Sequence, residues 1–237
     1  MALSADNKAR FAAMNNARLV AIVLAVLLAA FVLWRVMLGW APPRDDYPVQ
    51  GIVVDASNGQ PEWSKLAATG VDFAYLTATK GDKTRDPGFA ANLEAVRDAG
   101  IRQGALHVYD ICRLASDQAT LFITTVPRSS NALPEAVALD FSDTCSSKPD
   151  RALVLSEIAT FLSQIEAHTG IPAVLLITPE FEAHYRISGA VDRNVWLERT
   201  WMLPDYAAKP WVMWTANPSR HVDGIDGSVP WVVVRGN

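Results

Sequence analysis

The chain has 237 residues, 50% of them hydrophobic and 19% charged, with a formal net charge of −4. That length allows one sizeable domain with an appendage. The acidic balance offers no basic surface for nucleic acid, and no internal repeat or low-complexity tract is present.

The appendage comes first. Leu19 to Trp34 reads LVAIVLAVLLAAFVLW without a charge, and after Arg35 the apolar character resumes to Trp40. As a helix, 19–40 is roughly 33 Å long at ~1.5 Å per residue, enough to span a bilayer core. Arg35 lies close enough to the end to snorkel, and Trp34 and Trp40 suit the interface. Two other readings fit less well. A cleaved signal peptide needs a small-x-small site, and GWAPP puts prolines there; a buried core helix shows a polar stripe, and this segment has none. Lys8, Arg10 and Arg18 precede the helix, while Arg44 after it is offset by Asp45 and Asp46. The positive-inside tendency therefore predicts a cytoplasmic tail (1–18), a transmembrane anchor (19–40) and an outward-facing remainder.

Residues 41–49 (APPRDDYPV) form a polar, proline-bearing linker to a domain over 50–237. In that domain apolar runs alternate with helical patterns. Predicted strands are 51–54, 72–78, 103–109, 135–141, 172–178, 210–214 and 231–234; predicted helices are 61–69, 87–100 and 151–170. The last carries Leu153, Val154, Ile158, Phe161, Leu162 and Ile165 at helical spacing and stops at Gly170. Strands this apolar, separated by helices, are buried on both faces. The expected architecture is α/β: an irregular, TIM-barrel-like β/α barrel preceded by one transmembrane helix. Ligand chemistry in such folds sits at the C-terminal strand ends.

One acidic residue ends such a strand. LDFSDT (139–144) places Asp140 after apolar Leu139, where a buried carboxylate without partners is expensive. Asp140 either lines a cleft or ties down a neighbouring loop. Asp55, ending GIVVD, either reaches the same cleft or starts the DASNGQP turn by bonding backbone N–H groups. His107, near the end of the third predicted strand, either donates a hydrogen bond to a sugar or to Asp140, or is a satisfied structural histidine. Tyr109, Trp211 and Trp214 are either sugar-stacking platforms or core. His168 suits a helix C-terminus. Cys112 and Cys145 lie in no CxxC or Cys/His cluster, so a metal is not expected; they are a disulfide candidate if the compartment is oxidising, or two small buried thiols. No cofactor or triad motif occurs in a suitable setting.

Six segments, QGIVVDASNGQPEW (50–63), GVDFAYLTATKG (70–81), DPGFAANLEAVRDAGIRQGALHVY (86–109), EAVALDFSDT (135–144), HTGIPAVLLITPEF (168–181) and WVMWTANPSRHVDGIDGSV (211–229), together resemble glycoside hydrolase family 25. These are lysozymes that cut the muramic acid–glucosamine bond of peptidoglycan. The resemblance implies peptidoglycan glycan strands as partner, no cofactor, and His107, Tyr109, Trp214 and Asp226 of the GIDG loop as substrate-binding candidates.

The chain departs from the family where the chemistry belongs. Val53 stands at the aspartate of the first strand, and Ser142 at the glutamate of the family's Asp-x-Glu. Lys80 and Pro230 replace two further acidic residues. Glycoside hydrolysis needs a proton donor and a second carboxylate, and serine does not titrate near neutral pH. Asp143 is one residue on, so a continuing strand would point it away. The expectation is an inner-membrane protein with a periplasmic, lysozyme-like domain and weak or lost hydrolysis. The alternative is an active N-acetylmuramidase using Asp140 and Asp55.

Overall fold

A computed structural model describes residues 5–141, 145 and 147–236 of the chain. Ser142 and Asp143 lie outside the described residues. The chain divides into two compact units, 1–40 and 41–237, each described by itself.

The first unit is one helix, α1 (Ala5–Gly39). Within it Arg18–Gly39 is 22 residues long with a mean hydropathy of 2.7, long and apolar enough to cross a membrane.

The second unit is built on strands β1 (Gln50–Val54), β2 (Phe73–Lys80), β3 (Thr84–Arg85), β4 (Arg102–Tyr109), β5 (Ala136–Leu139), β6 (Val174–Ile177), β7 (Asn194–Glu198), β8 (Met213–Arg220) and β9 (Val229–Val234). Between them lie α2 (Trp63–Ala68), α3 (Phe89–Asp98), α4 (Ala115–Thr125), α5 (Arg151–Thr169) and α6 (Pro179–Tyr185). The sheet runs β1-β9-β8-β7-β6-β5-β4-β2-β3, and β1 also pairs with β2, so eight strands close into a barrel with β3 as a short flap on β2. All barrel pairings are parallel except those of β9, which runs antiparallel to both β1 and β8. The expected β/α barrel is thus present, and its irregularity is that reversed last strand.

Alternation within each strand explains the two buried layers. Phe73, Tyr75, Leu106, Ala136, Val174, Leu176, Trp196, Met213 and Val232 fill the barrel, with Val53 and Ala138 packed against them. Gly104 makes room for this filling, because a Cβ there would lie 2.6 Å from Tyr75 Cε1. The intervening residues, among them Val137, Leu139, Leu175, Ile177, Val195 and Leu197, are buried on the other face. Helix α5 presents Val154, Ile158, Phe161, Leu162 and Ile165 as its buried stripe and ends on the left-handed Gly170.

Four of the elements named above exceed the sequence expectation: β3, α4, α6 and β7. Strand β7 is the one with functional weight, since its last residue is Glu198.

Candidate active site

The parallel strands all release their C-terminal ends at one rim. Leu139 of β5 pairs with Ile177 of β6, which pairs with Leu197 of β7. The next residues, Asp140, Thr178 and Glu198, therefore form one row across three strands. All three share the inward parity of Ala138, Leu176 and Trp196. Glu198 in turn pairs with Thr215 of β8, whose Oγ1 accepts Trp196 Nε1–H at 2.8 Å.

Asp140 is exposed. Its Oδ1 accepts from Phe141 N at 2.8 Å and from Thr178 Oγ1 at 2.9 Å, so the rim itself orients the carboxylate. Glu198 is half-buried, and burial pushes its carboxyl up to about 6, with the negative charges of Asp140 and Glu180 adding to the rise. Asp140 is therefore accompanied: a second acid lies within its electrostatic reach. Glu198 belongs to a segment, 194–198, that the sequence expectation left outside any strand.

The other sequence candidates fall elsewhere. Asp55 is the N-cap of a 3₁₀ turn over Ala56–Asn58, where its Oδ1 accepts Ser57 N–H at 2.8 Å and Asn58 Oδ1 accepts Asp55 N–H at 3.1 Å. This is the turn-forming arrangement of its two readings. Val53, two residues earlier, packs into the barrel filling. Asp226 is exposed in the loop before β9, and that loop leans on the same turn through Asn58 Nδ2, which donates to Asp226 O at 3.4 Å and Ser228 O at 3.3 Å.

His107 is fully buried on the outer face of β4. It contacts Thr79 Oγ1 through Nδ1 at 2.8 Å and Gln118 Oε1 through Nε2 at 3.2 Å, and stacks on Phe161 at 4.6 Å. Burial drives its pKa down to about 4, partly countered by the Gln118 hydrogen bond. It is a neutral, satisfied core histidine. Tyr109 is buried beside it against Phe161, and burial raises its phenol well above the usual range. Trp214 is buried too, donating Nε1–H to Arg199 O at 2.7 Å and packing edge-on to Tyr47. Trp211 packs alongside it at 6.2 Å. All four are buried.

Among the described residues of the barrel unit, one large aromatic stands in the open. Trp201 follows β7, is 43% exposed, and has a φ of 59°. A non-glycine residue is rarely left in that left-handed conformation; its N–H donates to Ala216 O at 2.9 Å, which holds it there. Met202 and Leu203 beside it are also exposed.

Cys112, in the loop after β4, is joined to Cys145, in the loop after β5, by a disulfide with Cα atoms 5.8 Å apart. Asp110 lies close to both sulfurs, but sulfurs bonded to each other are not thiolate ligands, so this trio does not hold a metal. An apolar cavity of about 450 Å³ is at the opposite end of the barrel, lined by Phe73, Tyr75, Leu133, Val174, Met213 and Val234. It contains none of the rim acids, and the chemistry is placed by the charged groups rather than by cavity size.

A closed β/α barrel with acids at its C-terminal rim is the architecture of a barrel enzyme's active face. The family model of glycosyl hydrolases family 25 matches residues 52–225, and the chain belongs to that family. Among known proteins it is similar to Escherichia coli O157:H7 protein YegX, 28% identical over 201 residues that cover 80% of this chain and 71% of the relative. Among solved structures it superposes on a family 25 glycosyl hydrolase from Bacillus anthracis with a TM-score of 0.76, at 24% identity, covering 83% of this chain and 93% of that one. A bacterial lysozyme from Streptomyces coelicolor gives 0.71, also at 24% identity, covering 80% and 93%. These structural likenesses establish the shared fold.

Proposed function

We propose that this chain is a membrane-anchored, peptidoglycan-directed domain of the bacterial cell envelope, whose barrel mouth holds glycan strands and hydrolyses them weakly or not at all by the family's own pair of acids. The observation that carries it is Asp140, exposed at the end of β5 in the acidic row of the rim. Val53 and Ser142 stand where the family places carboxylates, and Asp55 commits its Oδ1 to a turn, so the family's arrangement is incomplete. The apolar helix Arg18–Gly39 supports a single-pass inner-membrane anchor with a cytoplasmic N-terminus. The disulfide suits an oxidising, periplasmic domain.

The test is retention. The full chain in detergent micelles is mixed with insoluble peptidoglycan and sedimented. Co-sedimentation is the expected result, and a chain left wholly in the supernatant overturns the reading.

Trp201 is the aromatic best placed to stack on a sugar ring. An anchor of this kind is worth more than ~1 kcal/mol at a binding surface, so Trp201→Ala should weaken retention about five- to tenfold, read as the peptidoglycan concentration that sediments half the protein. Trp214→Phe, inside the fold, should leave that concentration unchanged.

A further inference from the structure

The row of rim residues carries one step more, and it rests on the glycan-binding reading above. Glu198 ends β7 two residues beyond inward-facing Trp196, and β6 alone separates it from Asp140. Two strand spacings put the two backbones about 10 Å apart. Between them, at the end of β6, stands Thr178, already bonded to Asp140. Carboxyl groups on opposite sides of such a gap leave room for a sugar linkage and a water, as in hydrolases that act by single displacement.

The position of Glu198 is fixed from behind. The Tyr206 hydroxyl accepts Glu198 N–H at 2.8 Å and donates to Ile177 O at 2.6 Å, locking the ends of β6 and β7 together. Its chain neighbour Arg199 turns its guanidinium to Asp205 and to Leu203 O instead. Among the described residues, the charged groups that act on Glu198 are the carboxylates of Asp140, just after β5, and Glu180, near the start of α6, with the Tyr206 phenol kept neutral by burial. A half-buried carboxyl among negative charges holds its proton into the mildly acidic range, which suits a general acid.

We propose that Glu198 is the proton donor of this mouth, standing in for the carboxylate lost at Ser142 and working opposite Asp140 on a glycosidic linkage of peptidoglycan. The Glu198 O–H bond breaks as its proton passes to the glycosidic oxygen. The bond from that oxygen to the anomeric carbon breaks with both electrons going to oxygen, and a sugar alcohol leaves. A water adds to the anomeric carbon and gives a proton to the Asp140 carboxylate. One water is consumed, Glu198 is left ionised and Asp140 protonated, and exchange with solvent restores both.

The experiment uses the full chain in micelles with purified peptidoglycan and follows new reducing ends alongside sedimentation. Wild type should release reducing ends slowly, fastest in mildly acidic buffer and falling as pH rises above about 6, as Glu198 loses its proton. Glu198→Gln keeps the shape but has no acidic proton, so turnover should fall by about 10²–10⁴-fold while co-sedimentation persists, which also reports that the variant is folded. Asp140→Asn should lose turnover likewise. Wild-type chain that is retained yet releases nothing at any pH from 4 to 8 overturns the role of Glu198 and leaves glycan binding standing. So does turnover in Glu198→Gln within threefold of wild type. A chain neither retained nor active overturns both readings.

Discussion

Cys112→Ser should lower the thermal midpoint of the barrel domain by roughly 6–15 °C. The disulfide closes a loop of sequence separation 33, and a loop of that length restricts the unfolded chain by about 3–4 kcal/mol in the chain-entropy view. For a domain of this size each kcal/mol moves the midpoint by roughly 2–4 °C. The native side is already shaped for the bridge. Cys112 N–H donates to Asp110 Oδ1 at 2.8 Å, and Gln118 Oε1 accepts Asp110 N–H at 2.9 Å, so the loop after β4 is anchored independently of the sulfurs. Little folded-state relaxation is therefore available to offset the loss. Thermal melts in the presence and absence of dithiothreitol check this: reductant should shift wild type to the position of the serine variant and leave the variant unmoved. Equal midpoints for all four samples would refute it. Because the bridge ties the loop after β5 to the loop after β4, the same variant should also weaken peptidoglycan retention.

Seven apolar runs and the α5 stripe make the barrel legible in the sequence, and Asp140 is legible because a carboxylate at the end of such a run is conspicuous. Glu198 is hidden for a local reason. Strand β7 is only NVWLE, set between Asp192-Arg193 and Glu198-Arg199, so three apolar residues in a polar frame give no run to see. The strand exists because Val195 and Leu197 fill the outer layer and Trp196 the inner one, a fact of packing rather than of composition. The aromatics illustrate a related limit. Trp196 and Trp214 look alike in sequence, but the register Leu197↔Trp214 puts Trp214 on the outer face with Leu197, and parity cannot be assigned until the strand's pairing is known. His107 likewise follows inward-facing Leu106 and so turns outward, into the aromatic layer under α4 and α5. DASNG offers Asp55 a turn role beside the cleft role, and the bond from Ser57 N–H to its Oδ1 is what the structure adds.

Glu135→Gln should stabilise the protein at pH 8 by up to about 3 kcal/mol and do almost nothing at pH 4, a ceiling set by the ~1.4 kcal/mol that accompanies each tenfold change in proton affinity. Glu135 lies at the base of the barrel, just before β5, only 5% exposed. Its Oε2 accepts Ala105 N–H at 2.6 Å. Burial raises its pKa from 4.5 to about 7, against the opposing pull of that hydrogen bond. A carboxyl raised on folding binds its proton more tightly in the native than in the unfolded state. Its contribution is therefore fully present below about 4.5 and is lost as pH rises through about 7. Glutamine offers Ala105 the same acceptor and never ionises, so it escapes the loss. His107 works in the opposite direction: its pKa is lowered from 6.5 to about 4, so stability falls as pH drops through that interval. That slope is common to wild type and variant and cancels in the difference, as does the rise at Glu198. Denaturant unfolding of both proteins at a series of pH values therefore isolates Glu135. The gap between the two stabilities should open between pH 4.5 and about 7 and then stay level; a gap that does not change with pH would mean that this carboxyl ionises in the fold as freely as in the unfolded chain.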